Sequence, residues 1–297
     1  MKFAVPTKCC ADVILEQDLS VEAKGSDLEL GALSERVTSA HAPWQDDATR
    51  IRLNLSSVRE ETRQHALQTM ERWIEQAHAA FPNLQVIVTH AAPHYFPDPP
   101  IRPGKTDTLP ELKPELSDWG RLVESMQTLA RKCAGLGLVL AVENNWAYWD
   151  GIPEDADITK LGPGDFVEYW CSSPAEWRQL AKDVNEPGLG MCLDPSHAVP
   201  YCQRQVDVEA RIETLFEYVA EPDLIAHLHW NGSDIRTNRG RHDMHLCVGT
   251  GTLGDEFHAR LKARAAQLPQ PVTLEHWHGP DALAAELRYI EALPTPE

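Results

Sequence analysis

Short apolar runs alternating with longer amphipathic ones predict an α/β fold, a (β/α)8 barrel filling residues 1–297 as one domain. Three observations point there. Eight candidate strands can be counted. Several of them are continuously apolar, the pattern of strands covered on both faces. No linker or compositional break divides the 297 residues, a length such barrels reach. A doubly wound open sheet is the alternative arrangement of the same units.

The candidate strands are 2–5 (KFAV), 20–23 (SVEA), 36–41 (RVTSAH), 84–90 (LQVIVTH), 138–143 (LVLAVE), 188–194 (GLGMCLD), 223–229 (DLIAHLH) and 271–275 (PVTLE). Between them, 58–81 repeats Leu67, Met70, Ile74, Ala77 and Phe81 at intervals of three and four, and Ser57-Val58-Arg59-Glu60 fits a capping box. Helix 117–133 presents Leu122, Met126, Leu129 and Cys133 and stops at Gly135. Helix 174–184 opens with Ser173 as cap, Pro174 in the first position and Glu176 reaching back. Helices at 207–220, 253–267 and 280–292 complete the alternation, and the first crossover, 9–18, is short. Three long loops, 91–115, 144–172 and 230–242, follow strand C-termini, the face on which barrels of this kind build their sites.

Composition narrows the chemistry. Twenty-seven basic against 45 acidic residues give a net charge of −18, which repels a phosphate backbone, so nucleic acid is disfavoured as a partner. The small cluster Arg236, Arg239 and Arg241 does not reverse that sign. Seven scattered cysteines without a Cys-x-x-Cys spacing argue against a disulfide framework and a thiolate zinc site. With no secretory leader pattern and no apolar window near the ~18 residues of a membrane span, the expected location is the cytoplasm, with no membrane partner. No Walker loop or Gly-x-Gly-x-x-Gly follows a strand, so no nucleotide cofactor is expected. A homo-oligomer is left open.

Six consecutive predicted strands end in ligand-type residues: His41, His90, Glu143, Asp194 with His197, His227 with His229, and Glu275, while the loop after strand 7 adds Asp243 and His245. Each alone has an ordinary structural reading, a carboxylate as a helix cap or an imidazole as a hydrogen-bonded core residue. In a barrel, however, all strand C-termini face one mouth. Carboxylates and imidazoles crowded there without a counter-ion are costly. A divalent cation relieves that cost, and mixed N/O ligation suits Zn2+, Mn2+, Fe2+ or Co2+. Trp44, His94, Trp146, Trp149 and His229 are the candidate substrate contacts, the tryptophans as a wall for a sugar ring. His65, His78 and His258 lie within helical patterns, and alternation turns His276 away from Glu275.

The ordered set His41-Ala-Pro, His90, Glu143-Asn, Asp194-x-x-His197, His227, Asp243-x-His245 followed by Gly-x-Gly, and Glu275 resembles the xylose-isomerase-like barrel superfamily. That superfamily includes sugar isomerases and epimerases, inosose dehydratases and endonuclease IV. The epimerase pattern implies one metal on Glu143, Asp194, His227 and Glu275, with Glu143 and Glu275 doubling as the acid/base pair and His197 orienting a substrate oxygen. The endonuclease IV pattern implies three metals on nine residues, adding His41, His90, His197, Asp243 and His245, and phosphodiester hydrolysis. The first reading, a metal-dependent isomerase or epimerase of a small carbohydrate-like substrate, is preferred on charge and on the Trp-bearing 144–172 loop. A catalytically silent barrel acting as a binding subunit is a third reading.

Overall fold

In a computed structural model, residues 1–46, 48, 53–91, 117–149, 152–161 and 167–294 are described. Eight parallel strands run β1 (Phe3–Pro6), β2 (Ser20–Ala23), β3 (Val37–His41), β4 (Val86–His90), β5 (Val139–Glu143), β6 (Leu189–Leu193), β7 (Ile225–Leu228) and β8 (Val272–Thr273). They pair in chain order, and β8 returns to β1. A parallel bridge between His229 and Thr273, with the Trp230 N–H donating to the Thr273 carbonyl at 2.7 Å, closes β7 onto β8. The sheet is therefore a barrel and not an open doubly wound sheet. Its strands fall within two residues of their predicted bounds.

The helices are α1 (Ala11–Glu16), α2 (Glu60–Ala80), α3 (Trp119–Gly135), α4 (Pro174–Val184), α5 (Pro195–Cys202), α6 (Val208–Glu217), α7 (Asp255–Ala265) and α8 (Pro280–Ala292). Two expectations need correction. α2 begins only at Glu60, with Arg59 and not Ser57 in the cap position, and the Ser57 hydroxyl instead accepts the Arg59 N–H at 3.1 Å in a local turn. α5 was not foreseen. Asp194 caps it, and Pro195 takes the first helical position. By contrast, Ser173 caps α4 through the Glu176 N–H at 3.1 Å.

The main apolar layer lies between strands and helices, with Ile14, Met70, Ile74, Leu122, Met126, Leu129, Trp177 and Phe257 fully buried. A smaller cluster of Val86, Val88, Ala141 and Cys192 fills the barrel interior. Above it the interior turns polar. Register places His90, Glu143, Cys192 and His227 in one row across β4 to β7. Because barrel strands are tilted and staggered, such a row does not stay at one height. A register shift between Met191 and Cys192 leaves Ala226 as an extra residue on β7. Gly190 is required opposite it, since any Cβ there would collide with the Ala226 methyl. Among the described residues no helix is long and apolar enough to cross a membrane.

Candidate metal centre

The mouth is built from strand ends. On β5, Glu143 is fully buried and divides its two oxygens between neighbours. Oε2 lies 3.1 Å from His41 Nε2 and 3.3 Å from His90 Nε2, while Oε1 lies 2.7 Å from His229 Nδ1 and 3.3 Å from His197 Nδ1. Burial alone would raise its pKa, but the imidazoles of His229, His90 and His197 outweigh burial and hold it well below the usual range.

Asp194 follows β6 and uses its oxygens for separate tasks. Oδ1 accepts the Ser196 and His197 N–H groups at 2.7 and 3.2 Å and the Asn231 amide at 2.9 Å, capping α5. Oδ2 faces the mouth, 3.1 Å from His245 Nε2. The choice between cap and ligand-type carboxylate therefore resolves into both, one oxygen each. Asn231 thus buttresses Asp194.

Glu275 lies just past β8. Its Oε1 accepts a hydrogen bond from Lys24, and its Oε2 stands 2.7 Å from His229 Nδ1. Beyond it, Asp243 approaches His245 (2.7 Å) and His197 (3.6 Å).

The histidine of β7 that meets these carboxylates is His229, not the expected His227. His227 lies deeper, with Nε2 3.2 Å from both Glu22 Oε2 and Thr273 Oγ1. Its place within the strand keeps it in the barrel interior. His229 is two residues further along the same face. Its N–H bonds to the Leu193 carbonyl at 3.0 Å in the closing seam, which holds the ring at the level of Glu143. His229, also a candidate substrate contact, is fully buried between Glu22, Glu143 and Glu275. Trp149, another of those candidates, turns inward. It is buried, donates to the Pro200 carbonyl at 2.8 Å and packs under the Arg241 guanidinium. Trp146 does face the mouth, its ring 5.7 Å from His90 and 4.9 Å from His197. Trp44 is exposed, and His94 falls outside the described residues.

Two residues escaped the sequence reading. Glu22 of β2 is fully buried; its Oε2 accepts from Ser39 and Thr273, and its carboxylate meets the Nε2 atoms of His227 and His229 at 3.2 and 3.1 Å. Lys24 pairs with Glu275 and lies 3.8 Å from Glu22. Their signal was the charged pair in Ser-Val-Glu-Ala-Lys, at the end of a predicted strand.

The donor set fits a cation. Glu143 Oε1 and Glu275 Oε2 lie 2.7 Å from His229 Nδ1, and Asp194 Oδ2 lies 3.9 Å from it. One imidazole nitrogen carries at most one proton and cannot satisfy three carboxylates. Among the described residues, Glu275 Oε2 and His90 Nδ1 are buried without a hydrogen-bond partner. Burial drives His90 down to about 3, so it stays neutral, as a metal ligand must. Burial lowers His197 and His229 too, but the surrounding acidic groups outweigh it and raise both well above the ordinary value. A proton there balances charge that a divalent ion would also balance.

Comparison with known proteins agrees with this architecture. The family model of xylose isomerase-like TIM barrels matches residues 31–293. The chain belongs to that family. No curated protein matches it in sequence. Among solved structures, a D-tagatose 3-epimerase-like protein is 18% identical with a TM-score of 0.63, over 99% of this chain and 98% of that one. The TTHB071 protein from Thermus thermophilus, soaked with ZnCl2, is 19% identical with a TM-score of 0.57, over 98% and 96%. The 3-keto-D-glucoside 4-epimerase YcjR from E. coli is 16% identical with a TM-score of 0.59, over 98% and 99%. At these identities the likeness is one of fold.

Proposed function

We propose that this family member is a divalent-metal-dependent isomerase or epimerase of a small sugar or sugar-like ketose. The observation that carries the proposal is the convergence of Glu143 Oε1, Asp194 Oδ2 and Glu275 Oε2 on His229 Nδ1. Those four residues would hold the ion, which when bound polarises adjacent hydroxyl and carbonyl oxygens and so acidifies the C–H between them. The chain supplies the rest. Glu143 and Glu275 each present one oxygen to the centre while their other oxygens are held, by His41 and His90 and by Lys24 respectively. Two carboxylates fixed this way can take a proton from one carbon and return it on the other side. His197, held by the Asn144 carbonyl at 3.1 Å, is placed to orient a substrate oxygen, and Trp146 forms a wall against it. Structural neighbours that are themselves sugar epimerases, the 3-keto-D-glucoside 4-epimerase and a D-psicose 3-epimerase, support this reading.

A second reading, multinuclear phosphodiester hydrolysis, is favoured by one observation. His197, Asp243 and His245, three of the nine residues of that pattern, gather beside Asp194. The net charge of −18 weighs against it.

The test incubates metal-loaded protein with a panel of ketoses in D2O and, separately, with an abasic-site duplex. Deuterium entering a carbon position next to the carbonyl, lost in Glu143→Gln and Glu275→Gln, is expected. Cleavage of the duplex with no exchange on any ketose would reverse the order of the two readings.

A further inference from the structure

Behind Glu275, on the side away from the mouth, lies a second group of donor atoms that the proposed reaction does not use. Cys247 Sγ, a ring nitrogen of His276 and a carboxylate oxygen of Glu286 all lie within 4.8 Å of one another. His276 and Glu286 are buried and Cys247 is half-buried. We propose that Cys247, His276 and Glu286 form a separate site for a thiophilic divalent cation such as Zn2+, which ties the loop after β7 to β8 and α8.

Three features support the site. The first is assembly. Gly249, at φ +86°, packs the turn after Cys247 against the Tyr289 ring, where a Cβ would come within 2.6 Å of the ring atoms. Glu286 stands one helical turn before Tyr289 on α8 and accepts the Val248 N–H at 2.5 Å, which draws Cys247 to the helix. The second is an unmet need. His276 Nε2 lies 2.9 and 3.0 Å from the two Glu286 oxygens, and buried Nδ1 has no hydrogen-bond partner among the described residues. Among the described residues no Lys or Arg pairs with Glu286, whose ion pair is with His276. Buried carboxylates and imidazoles are normally fully partnered. The third is donor chemistry. One thiolate, one imidazole and one carboxylate suit Zn2+ or Co2+ and not Mg2+ or Ca2+. The half-buried Cys247 leaves a path for the ion and for water in a fourth position.

Position gives the site a consequence. Cys247 is two residues after His245, and His276 follows Glu275. A cation held here fixes the backbone of both segments that enter the mouth, without sharing a ligand with it.

The test loads the full chain with Co2+ alone and records the absorption spectrum. A thiolate-to-cobalt charge-transfer band is expected in the wild type and in Cys192→Ser, whose thiol lies nearer the mouth. The band should vanish in Cys247→Ser, with one ion per chain lost. Alkylation mapping on the wild-type chain reads the same site independently of how Cys247→Ser folds, and Zn2+ should protect Cys247. No band in the wild type, a band that survives Cys247→Ser, or alkylation of Cys247 unaffected by Zn2+ would each overturn the proposal.

Discussion

Replacing Glu22 by Gln isolates how His229 is held. Glu22 Oε1 and Oε2 each lie 3.1 Å from His229 Nε2, while His229 Nδ1 faces Glu143 and Glu275. A carboxylate on the far nitrogen fixes the ring's orientation and keeps Nδ1 a lone-pair donor, and loss of such a partner typically weakens metal binding by about 10–100-fold. That range corresponds to roughly 1.4–2.7 kcal/mol at room temperature. Gln keeps the volume and can still accept from the Ser39 and Thr273 hydroxyls, so the core is not emptied. Glu22→Gln should therefore remain folded by circular dichroism while its Mn2+ or Zn2+ affinity, measured by calorimetry in metal buffers, falls within that range. An affinity equal to wild type would show that Glu22 does not orient His229. A loss as complete as that of His229→Ala would show that Glu22 is itself a ligand.

Two further outcomes follow from single side chains. Asp194→Asn keeps an oxygen for the Ser196 and His197 N–H groups, and Asn caps about as well as Asp. It should cost under about 1 kcal/mol of stability in urea melts yet strongly reduce ion binding; unaltered binding would remove Asp194 from the centre. His258 accepts the Trp230 indole N–H at 3.1 Å, and burial lowers its pKa from 6.5 to about 4. The unfolded chain then binds the proton between those values and the folded chain does not, so this stabilising contribution is whole above pH 6.5 and is lost as pH falls to about 4. The full effect is about 3 kcal/mol. The stability gap between wild type and His258→Gln should shift by that order between about pH 7 and 4.5, in favour of the variant at low pH. A gap that does not move with pH would refute the assignment.

Much of this was legible in the sequence because the barrel imposes simple rules. Continuously apolar runs such as Val86-Ile87-Val88 and Leu140-Ala141-Val142 mark strands covered on both faces, and their C-terminal residues must share one mouth. Height within the barrel was not legible. His227 and His229 have the same facing by alternation, and only strand tilt and the bulge at Ala226 decide which one reaches Glu143. Glu22 and Lys24 were visible as residues but lie on strand 2, outside the run of strand ends from 3 to 8 that drew attention. Trp149 could not be separated from Trp146 by type or spacing. The difference is made by Arg241, which reaches back to the Pro153, Glu154 and Ala156 carbonyls and holds that part of the loop over the Trp149 ring.

Everything proposed for the mouth depends on His229, with Glu143, Asp194 and Glu275, forming a divalent-ion centre. Metal analysis of protein purified without chelator tests it most directly, on the wild type beside His229→Ala and His227→Ala. At least one transition-metal ion per chain is expected in the wild type, retained in His227→Ala and lost from the mouth in His229→Ala. Less than one ion per chain in the wild type, with none taken up on adding Mn2+ or Co2+, would contradict it.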